Sequence, residues 1–536
     1  MKPPCLVFED EHLLVVNKPA GLNTHSPSPF ASQGLYEWLR DREPRWASLS
    51  IIHRLDKETS GIILFSKTPL ANRSLTNQFS NRAIRKKYLL LTDRVVPEKG
   101  ISIKTAMVRV GDKYMSRPIA AGAEIAETSF ELVKHVDLAG FPHCALVEAI
   151  PLTGRTHQIR VHSADKRFPI LGDTRYGGTA APRLCLHAAE ITFKHPASGK
   201  ELCFQAPISF ETAPDLALRS ALINPQSTTA YRLIHGATDG WPGWYVDRLE
   251  NYLLSQSAEP LASDQHARLA SLVGELSLNG AYHKRLSRRP QTTAATDVSP
   301  QRVLGAAAPP RFTVQENSLL FELSFAEGYS VGLFLDQRDN RRRLLTGHIA
   351  AGFPLFESQA KLRPEILNTF AYTCGFSVYA AESGCRTTNL DLSKKCLEWG
   401  KRNFLLNQID PAEHDFIFGD VFDWLGRLRK KERSFDVILL DPPTFSQSKD
   451  FGPFRAEKDY GELVAAALPL LRPRGVLFAS CNAVGWSPES FLAAIKKPIE
   501  AAGRTFLQEH YFPQPPDYPI SRAEPAYLKT IWLRLQ

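Results

Sequence analysis

Three folding units in series are predicted from the sequence: an α+β unit, a small α+β module, and an α/β unit built on a parallel, doubly wound sheet. Chain length and a change of hydrophobic pattern near Glu365 carry this expectation. At about 150 residues per domain, 536 residues accommodate three or four units, each large enough to bury a core. Ahead of Glu365, short β-like runs are separated by turn clusters. Behind it, apolar strand candidates alternate with helix candidates.

Residues 6–210 hold the runs LLVVNK, GIILFSK, KKYLLL and ALVEAI, with few long amphipathic helices. That is an α+β pattern rich in antiparallel strand, and the first unit is set at 1–215. A Pro- and Ala-containing passage at 206–225 reads as the junction. Residues 226–345 read as the small α+β module. Within them 287–311 (SRRPQTTAATDVSPQRVLGAAAPPR) lacks periodicity and reads as a flexible loop. The third unit, 346–536, carries EILNTF, TTNLDL, FDVILLD and GVLFAS, with helices expected at 378–383, 394–407 and 461–471. Such alternation argues a Rossmann-like sheet covered on both faces.

Composition narrows the function classes. Apolar residues make up 43% of the chain, close to the globular norm of about 45–50%, so wholesale disorder is not expected. No stretch approaches the roughly 18 unbroken apolar residues of a membrane span. The first apolar run, LLVV, is short and follows acidic residues, unlike a secretory signal. Eight scattered cysteines without a C-x-x-C pair support neither a disulfide scaffold nor a metal site, and a reducing cytoplasm is the expected compartment. Net charge is +9, and residues 1–220 carry 29 basic against 22 acidic side chains. A basic front half suits a polyanion, and equally a solvated surface.

The densest chemical signal in the front half is HRLDKETSG at 53–61. It sets Asp56 between Arg54 and Lys57 before a glycine turn, where a carboxylate can be kept ionised. A second segment, TGRTHQIRVH at 153–162, holds Arg155, His157, Arg160 and His162. Its arginines could grip phosphates or pair with a buried carboxylate. A third, RAIRKKY at 82–88, sets Lys86 and Lys87 beside Tyr88, a mixture suited to a nucleic-acid backbone and one stacked base. Each alone also fits a solvated basic face.

Together with FEDEHLLVVNKPAGLNTH, FPILGDTRYGG and LCLHA, these blocks, in this order over residues 6–210, resemble the RluA-type RNA pseudouridine synthases. The resemblance implies Asp56 as the nucleophile, Tyr88 as the aromatic packed on the target base, and Arg160 as the ion-pair partner of Asp56. Arg54, with Arg155, His157, Lys86 and Lys87, is assigned to the RNA. No cofactor is implied for this reaction. Isomerising uridine breaks the ribose–nitrogen bond and rejoins the ring through carbon. A carboxylate serves either by covalent attack on the sugar or by taking a proton to give a glycal.

In the back half, NTFAYTCGF at 368–376 is a strand entering a turn that opens a helix, and the next strand ends at Asp391. An acid there can hold a ribose diol. Asp420, at a third strand position, could meet an adenine amino group, and Asp441 closes FDVILL before two prolines that fix a rigid turn. With AYRLIHGATDGWPGWYVDRL, GLFLDQRDNRRRL, LDLSKKCLEWGKRNFLLN, GDVFDWL and DPPTFSQSK, residues 229–536 resemble class I S-adenosylmethionine-dependent RNA methyltransferases. The closest likeness is to the RlmI and RlmK types that modify large-subunit ribosomal RNA. The resemblance implies S-adenosylmethionine as cofactor, held by Asn368, Phe370, Tyr372, Gly375, Asp391, Asp420 and Asp441, with Arg338 of the LDQRDNR block at the mouth. Cys374 stands where such turns usually carry glycine; a side chain there could crowd the cofactor, whose binding is still expected.

The methylated base turns on Cys481 in ASCN. Facing the pocket, its thiolate could add to cytosine and activate carbon 5. DPPTFSQSK and LEWGKRN lean instead toward guanine nitrogen 7, which needs only positioning. The leading expectation is a bifunctional enzyme acting on 23S-type ribosomal RNA, with no DNA and no membrane partner. The alternative is one active half with the other serving as an RNA-binding platform.

Overall fold

The computed structural model describes residues 2–31, 34–120, 124–286, 299–327, 330–357, 363–448 and 452–536. The described residues form three principal sheets. The first has eleven strands and is mostly antiparallel. Ser60–Ser66 is an interior strand, every residue of which is buried. It is flanked by Leu13–Lys18 on one side and Leu186–Lys194 on the other. A continuous apolar run, GIILF, produces a strand covered on both faces. Gly61 has φ +119, and a Cβ there would lie 2.3 Å from the Ala188 carbonyl oxygen. Only glycine lets this strand start against Leu186–Lys194, so the end of HRLDKETSG fixes where the preceding turn must sit.

The helix Pro214–Leu222 lies inside the passage expected to be a bare junction. Pro214 opens it, at a position where a missing N–H costs nothing, and Leu218 and Leu222 bury against the next sheet. That sheet has five strands in the order Ala230–His235, Trp244–Leu249, Tyr252–Ser257, Gly280–Arg285 and Gln301–Gly305. The last strand corrects the expected flexible loop at 287–311, because Gln301–Gly305 pairs with Gly280–Arg285 as an edge. Residues 287–298 of that expectation lie outside the described residues. Alternation divides the sheet's two faces. Leu253 and Ala281 join a core with Trp38, Trp46 and Phe65, whereas Tyr252, Leu254 and Tyr282 join a core that continues into the back half.

The third sheet has seven strands, ordered Asp415–Phe418, Arg386–Asp391, Glu365–Thr369, Phe435–Leu440, Leu471–Cys481, Lys529–Leu535 and Phe506–Pro513. The first five are parallel, and Lys529–Leu535 runs antiparallel to both neighbours. Helices Gly375–Glu382, Lys394–Leu406, Val421–Lys430, Ala456–Ala467 and Pro488–Ala501 make the connections. Strand order reverses between Glu365–Thr369 and Phe435–Leu440, which opens a crevice at the carboxyl ends of those strands. No described helix is long and apolar enough to cross a membrane.

Candidate active sites

Asp56 lies in the turn before Ser60–Ser66, and its neighbours on the chain are tied down from beneath. Lys18, wholly buried, donates from Nζ to the carbonyls of Pro19 (2.9 Å), Leu22 (2.8 Å) and Lys57 (3.1 Å). Burial pushes this amine down to about 7, against the pull of Glu58 and Asp56. Thr24 Oγ1 donates to the Leu55 carbonyl at 2.8 Å and accepts from its N–H at 3.1 Å. The turn is therefore held by its backbone, leaving the Asp56 carboxylate half-buried beside Arg160.

Two donors approach one oxygen of that carboxylate. Arg160 Nη1 is 3.6 Å and His157 Nε2 is 3.7 Å from Asp56 Oδ2. The expected Asp56–Arg160 pair is present but is the looser of two. Arg160 makes a bidentate bond to buried Asp173, Nε to Oδ2 at 2.7 Å and Nη2 to Oδ1 at 2.8 Å. His157, expected to contact RNA, stands beside Asp56 with Nδ1 2.7 Å from the Tyr176 hydroxyl. Tyr88 is half-buried near Asp56; burial first, and then that negative charge, raise its phenol above the ordinary range.

Strand alternation sorts the basic residues. Lys86 shares the Tyr88 face, lies over the Phe79 ring, and is pushed down by burial. Lys87 points to the other face and pairs with Glu148 at 3.1 Å, so the structure separates it from the cleft. Arg54 is exposed and makes no ion pair among the described residues. Arg155 is held by Glu124 at 3.0 Å. Lys18, Thr24, Asp173 and Tyr176 were not singled out from sequence, although all four lie within the quoted blocks. Their partners are far along the chain or are backbone carbonyls, which spacing does not reveal.

In the back half a cavity of about 520 Å³ opens at the carboxyl ends of the parallel strands. Of the residues expected to hold the cofactor, Phe370, Tyr372, Asp391, Asp420 and Asp441 line it. Asp391 accepts from the Tyr372 and Ser393 N–H groups, each at 2.8 Å, and burial raises its carboxyl. Asp420 caps Val421–Lys430 by accepting from the Phe422 and Asp423 N–H groups. Burial pushes Asp441 up to about 6. Gln337 Nε2 stands 3.3 Å from it and donates to Ser480 Oγ at 2.7 Å.

Four expectations are corrected, and the open question of Cys374 is answered. Asn368 does not line the cavity; it donates to Ser377 Oγ at 2.8 Å and ties the strand to the following helix. Gly375 opens that helix beneath the cavity and packs near Leu333 and Arg341. Arg338 is buried in an ion pair with Asp517, Nη1 to Oδ2 at 2.9 Å, and its block reaches the cavity through Asp336 and Gln337 instead. Cys374 does not crowd the cavity. Its φ of +61 turns the side chain into the core against Gly400, where it is fully buried. Cys481 is 1% exposed, accepts the Ala483 N–H at 3.4 Å, and is no part of the lining. Burial raises its thiol, against formation of a thiolate.

The second site thus combines acids at the ends of adjacent strands with an aromatic wall of Phe370, Phe422 and Phe454, in a volume suited to a small ligand. Such a set fits S-adenosylmethionine: carboxylates would hold its diol and amino groups, the rings its base, and the acids its positive sulfonium.

Comparison with known proteins gives two family matches. Residues 12–165 match the RNA pseudouridylate synthase family, and residues 281–534 match the S-adenosylmethionine-dependent methyltransferase family. A ribosomal RNA large subunit methyltransferase of Deinococcus radiodurans is 32% identical over 330 residues, covering 60% of this chain and 77% of that protein. The ribosomal large subunit pseudouridine synthase C of Yersinia pestis is 37% identical over 215 residues. That alignment covers 38% of this chain and spans 65% of the Yersinia protein. A Streptococcus mutans structure assigned to the S-adenosylmethionine-dependent methyltransferases superposes with TM-score 0.50 at 25% identity, covering 64% of this chain and 87% of its own.

Proposed function

The chain belongs to the ribosomal RNA large subunit methyltransferases that use S-adenosylmethionine and carries an RNA pseudouridylate synthase domain ahead of them; from this premise we propose that it makes two modifications on large-subunit, 23S-type ribosomal RNA in the cytoplasm. The front half isomerises a uridine, and the back half methylates a base. The division is taken as 1–215, 226–345 and 346–536, supported by one principal sheet in each part.

In the first reaction Asp56 acts on the sugar. It either adds to C1′ or removes the proton at C2′; both routes release uracil, which turns and rejoins C1′ through its own carbon 5. The carbon-5 proton then leaves and N1 gains one, so atoms balance. Tyr88 stacks on the flipped base, offsetting part of an unstacking cost of a few kcal/mol by about 1–3 kcal/mol. Arg54, Arg155 and Lys86 face the RNA backbone. The observation that carries this reading is the half-buried Asp56 carboxylate near Tyr88, with Arg160 and His157 at 3.6 and 3.7 Å from one oxygen.

In the second site S-adenosylmethionine, when bound, supplies an electrophilic methyl group. Asp391 would hold its ribose diol and Asp420 the adenine amino group, while Phe370 and Phe422 flank the ring. Asp441 and the Pro442–Pro443 turn would orient the target base. The buried, protonated Cys481 favours direct transfer to guanine nitrogen 7 over a covalent route to cytosine carbon 5.

The test uses ribosomal RNA carrying tritium at uridine carbon 5, which is released when pseudouridine forms. Asp56→Asn is expected to release none while keeping methyl transfer within about twofold, since the two sites use separate residues. Tritium release by the purified variant would contradict the assignment.

A further inference from the structure

The front cleft contains a feature that the nucleophile reading leaves unused. Arg160 and His157 approach the same oxygen of Asp56, at 3.6 and 3.7 Å from Oδ2, and each is fixed from behind by a residue of one short segment. Asp173 is the N-cap of the 3-10 turn Thr174–Tyr176 and holds Arg160 bidentately. Tyr176 ends that turn and holds His157 at 2.7 Å.

The Tyr114 N–H donates to the Tyr176 oxygen at 3.1 Å, and the arrangement in which Tyr176 orients His157 gives the phenol proton to His157 Nδ1. A neutral His157 therefore carries its own proton on Nε2, aimed at Asp56. His157 has φ +57, a strained conformation for a non-glycine residue, kept at the entrance to helix Gln158–Asp165. At 3.6–3.7 Å neither contact is a hydrogen bond in the free protein; such contacts tighten when substrate is bound.

We propose that Asp173, Tyr176 and His157 form a positioning clamp which, with Arg160, holds Oδ2 of Asp56 and leaves Oδ1 as the oxygen that reacts with the ribose. The clamp rests on Asp56 being the nucleophile. It assigns distinct jobs to the two oxygens: one is held by two donors, and the other keeps its lone pairs for the sugar.

The clamp sets a pH dependence. The groups facing His157 are Asp56, Arg160, Asp173, Arg175 and Tyr176, with the Tyr114 ring against its edge. Burial first, then Arg160 and Arg175, hold the imidazole below its ordinary value, against Asp56 and Asp173. Once protonated, His157 no longer accepts from Tyr176 and sets a full positive charge against the carboxylate, which dulls it. Rate should therefore fall on the acid side as His157 gains its proton. Because the Tyr176 O–H bonds only the neutral ring, removing it raises the imidazole's affinity for that proton.

The experiment is a single-turnover pH–rate profile of tritium release by the full chain, from pH about 5 to 9, where histidines titrate. Tyr176→Phe is expected to lower the rate about tenfold, the size of effect seen when an orienting partner is lost. It should also move the acid limb up by about half a unit or more, with RNA affinity within about twofold. His157→Gln should lose the limb, and Tyr176→Phe added to it should cost nothing further, because both act through one contact. An unmoved limb in Tyr176→Phe, additive losses, or weaker RNA binding at unchanged rate would overturn the clamp. Methyl transfer by the same preparations reports correct folding. Asp56→Asn alongside keeps the two claims apart: activity there removes the nucleophile itself, whereas an inert Asp56→Asn with an unmoved Tyr176→Phe limb removes only the clamp.

Discussion

Cys481 and Cys374 are both fully buried. Both sit in blocks that border the cavity, and both turn their sulfur away from it. At Cys481 a raised pKa and 1% exposure leave no thiolate to attack a base. Cys481→Ser is accordingly expected to keep methyl incorporation within about threefold, because a serine hydroxyl can still accept the Ala483 N–H, and hydrogen bonds of this kind contribute only about 0.5–1.5 kcal/mol. A loss of about a hundredfold or more with the fold intact would contradict direct transfer and establish a covalent one. Asp56, Tyr88 and Arg160 were legible because they recur in separated blocks of a known order. Asp173 was not, since a carboxylate that orients an arginine has no spacing rule, and its effect appears only once the helix and the 3-10 turn are packed together.

The helix Lys394–Leu406 shows how one element makes room for an unusual turn. A left-handed, non-glycine residue costs roughly 1–2 kcal/mol, and the turn holds three of them, Phe370, Tyr372 and Cys374. Asp391 offsets part of this by accepting the Tyr372 N–H, and Gly400 makes space for the Cys374 side chain. A Cβ at Gly400 would lie 2.4 Å from the Cys374 sulfur. Gly400→Ala is therefore expected to destabilise by about 1–3 kcal/mol from overpacking, despite alanine's better helix propensity of about 1 kcal/mol. Cys374→Gly in the same chain should restore the thermal midpoint. An unchanged midpoint in Gly400→Ala alone would contradict this packing.

Elements were legible wherever apolar runs or strand–helix alternation marked them, as in Ser60–Ser66 and Phe435–Leu440. Gln301–Gly305 was not, because its only apolar residues, Val303 and Leu304, are adjacent rather than alternating and it follows a Ser-, Thr- and Ala-rich stretch. Arg338 was misread for a related reason. On a helix, adjacent residues face different ways, so Arg338 turns inward to Asp517 while Gln337 reaches the cavity.

Across the whole molecule the middle sheet joins the two halves by burying opposite faces in different cores. Polar contacts reinforce the join. Trp38 Nε1 donates to Asp339 Oδ2 at 3.0 Å, and buried Asp41 meets His510 at 3.4 Å and the Ala351 N–H at 3.1 Å. Arg342 pairs with Glu43, and Arg219 bridges Asp239 and the Asp517 carbonyl. Burial raises the Asp41 carboxyl, but His510 and Arg40 outweigh it and hold it below the usual carboxylate range. The two sites thus lie in one packed body, and both are expected to act on one RNA class.

Mass-spectrometric mapping of large-subunit ribosomal RNA from cells lacking this chain tests that claim most directly. One pseudouridine and one base methylation are expected to be lost, with the pseudouridine alone missing when Asp56→Asn is supplied in place of the intact chain. Loss of only one mark in the deletion would reduce one half to an RNA-binding platform, and loss of neither would contradict the account outright.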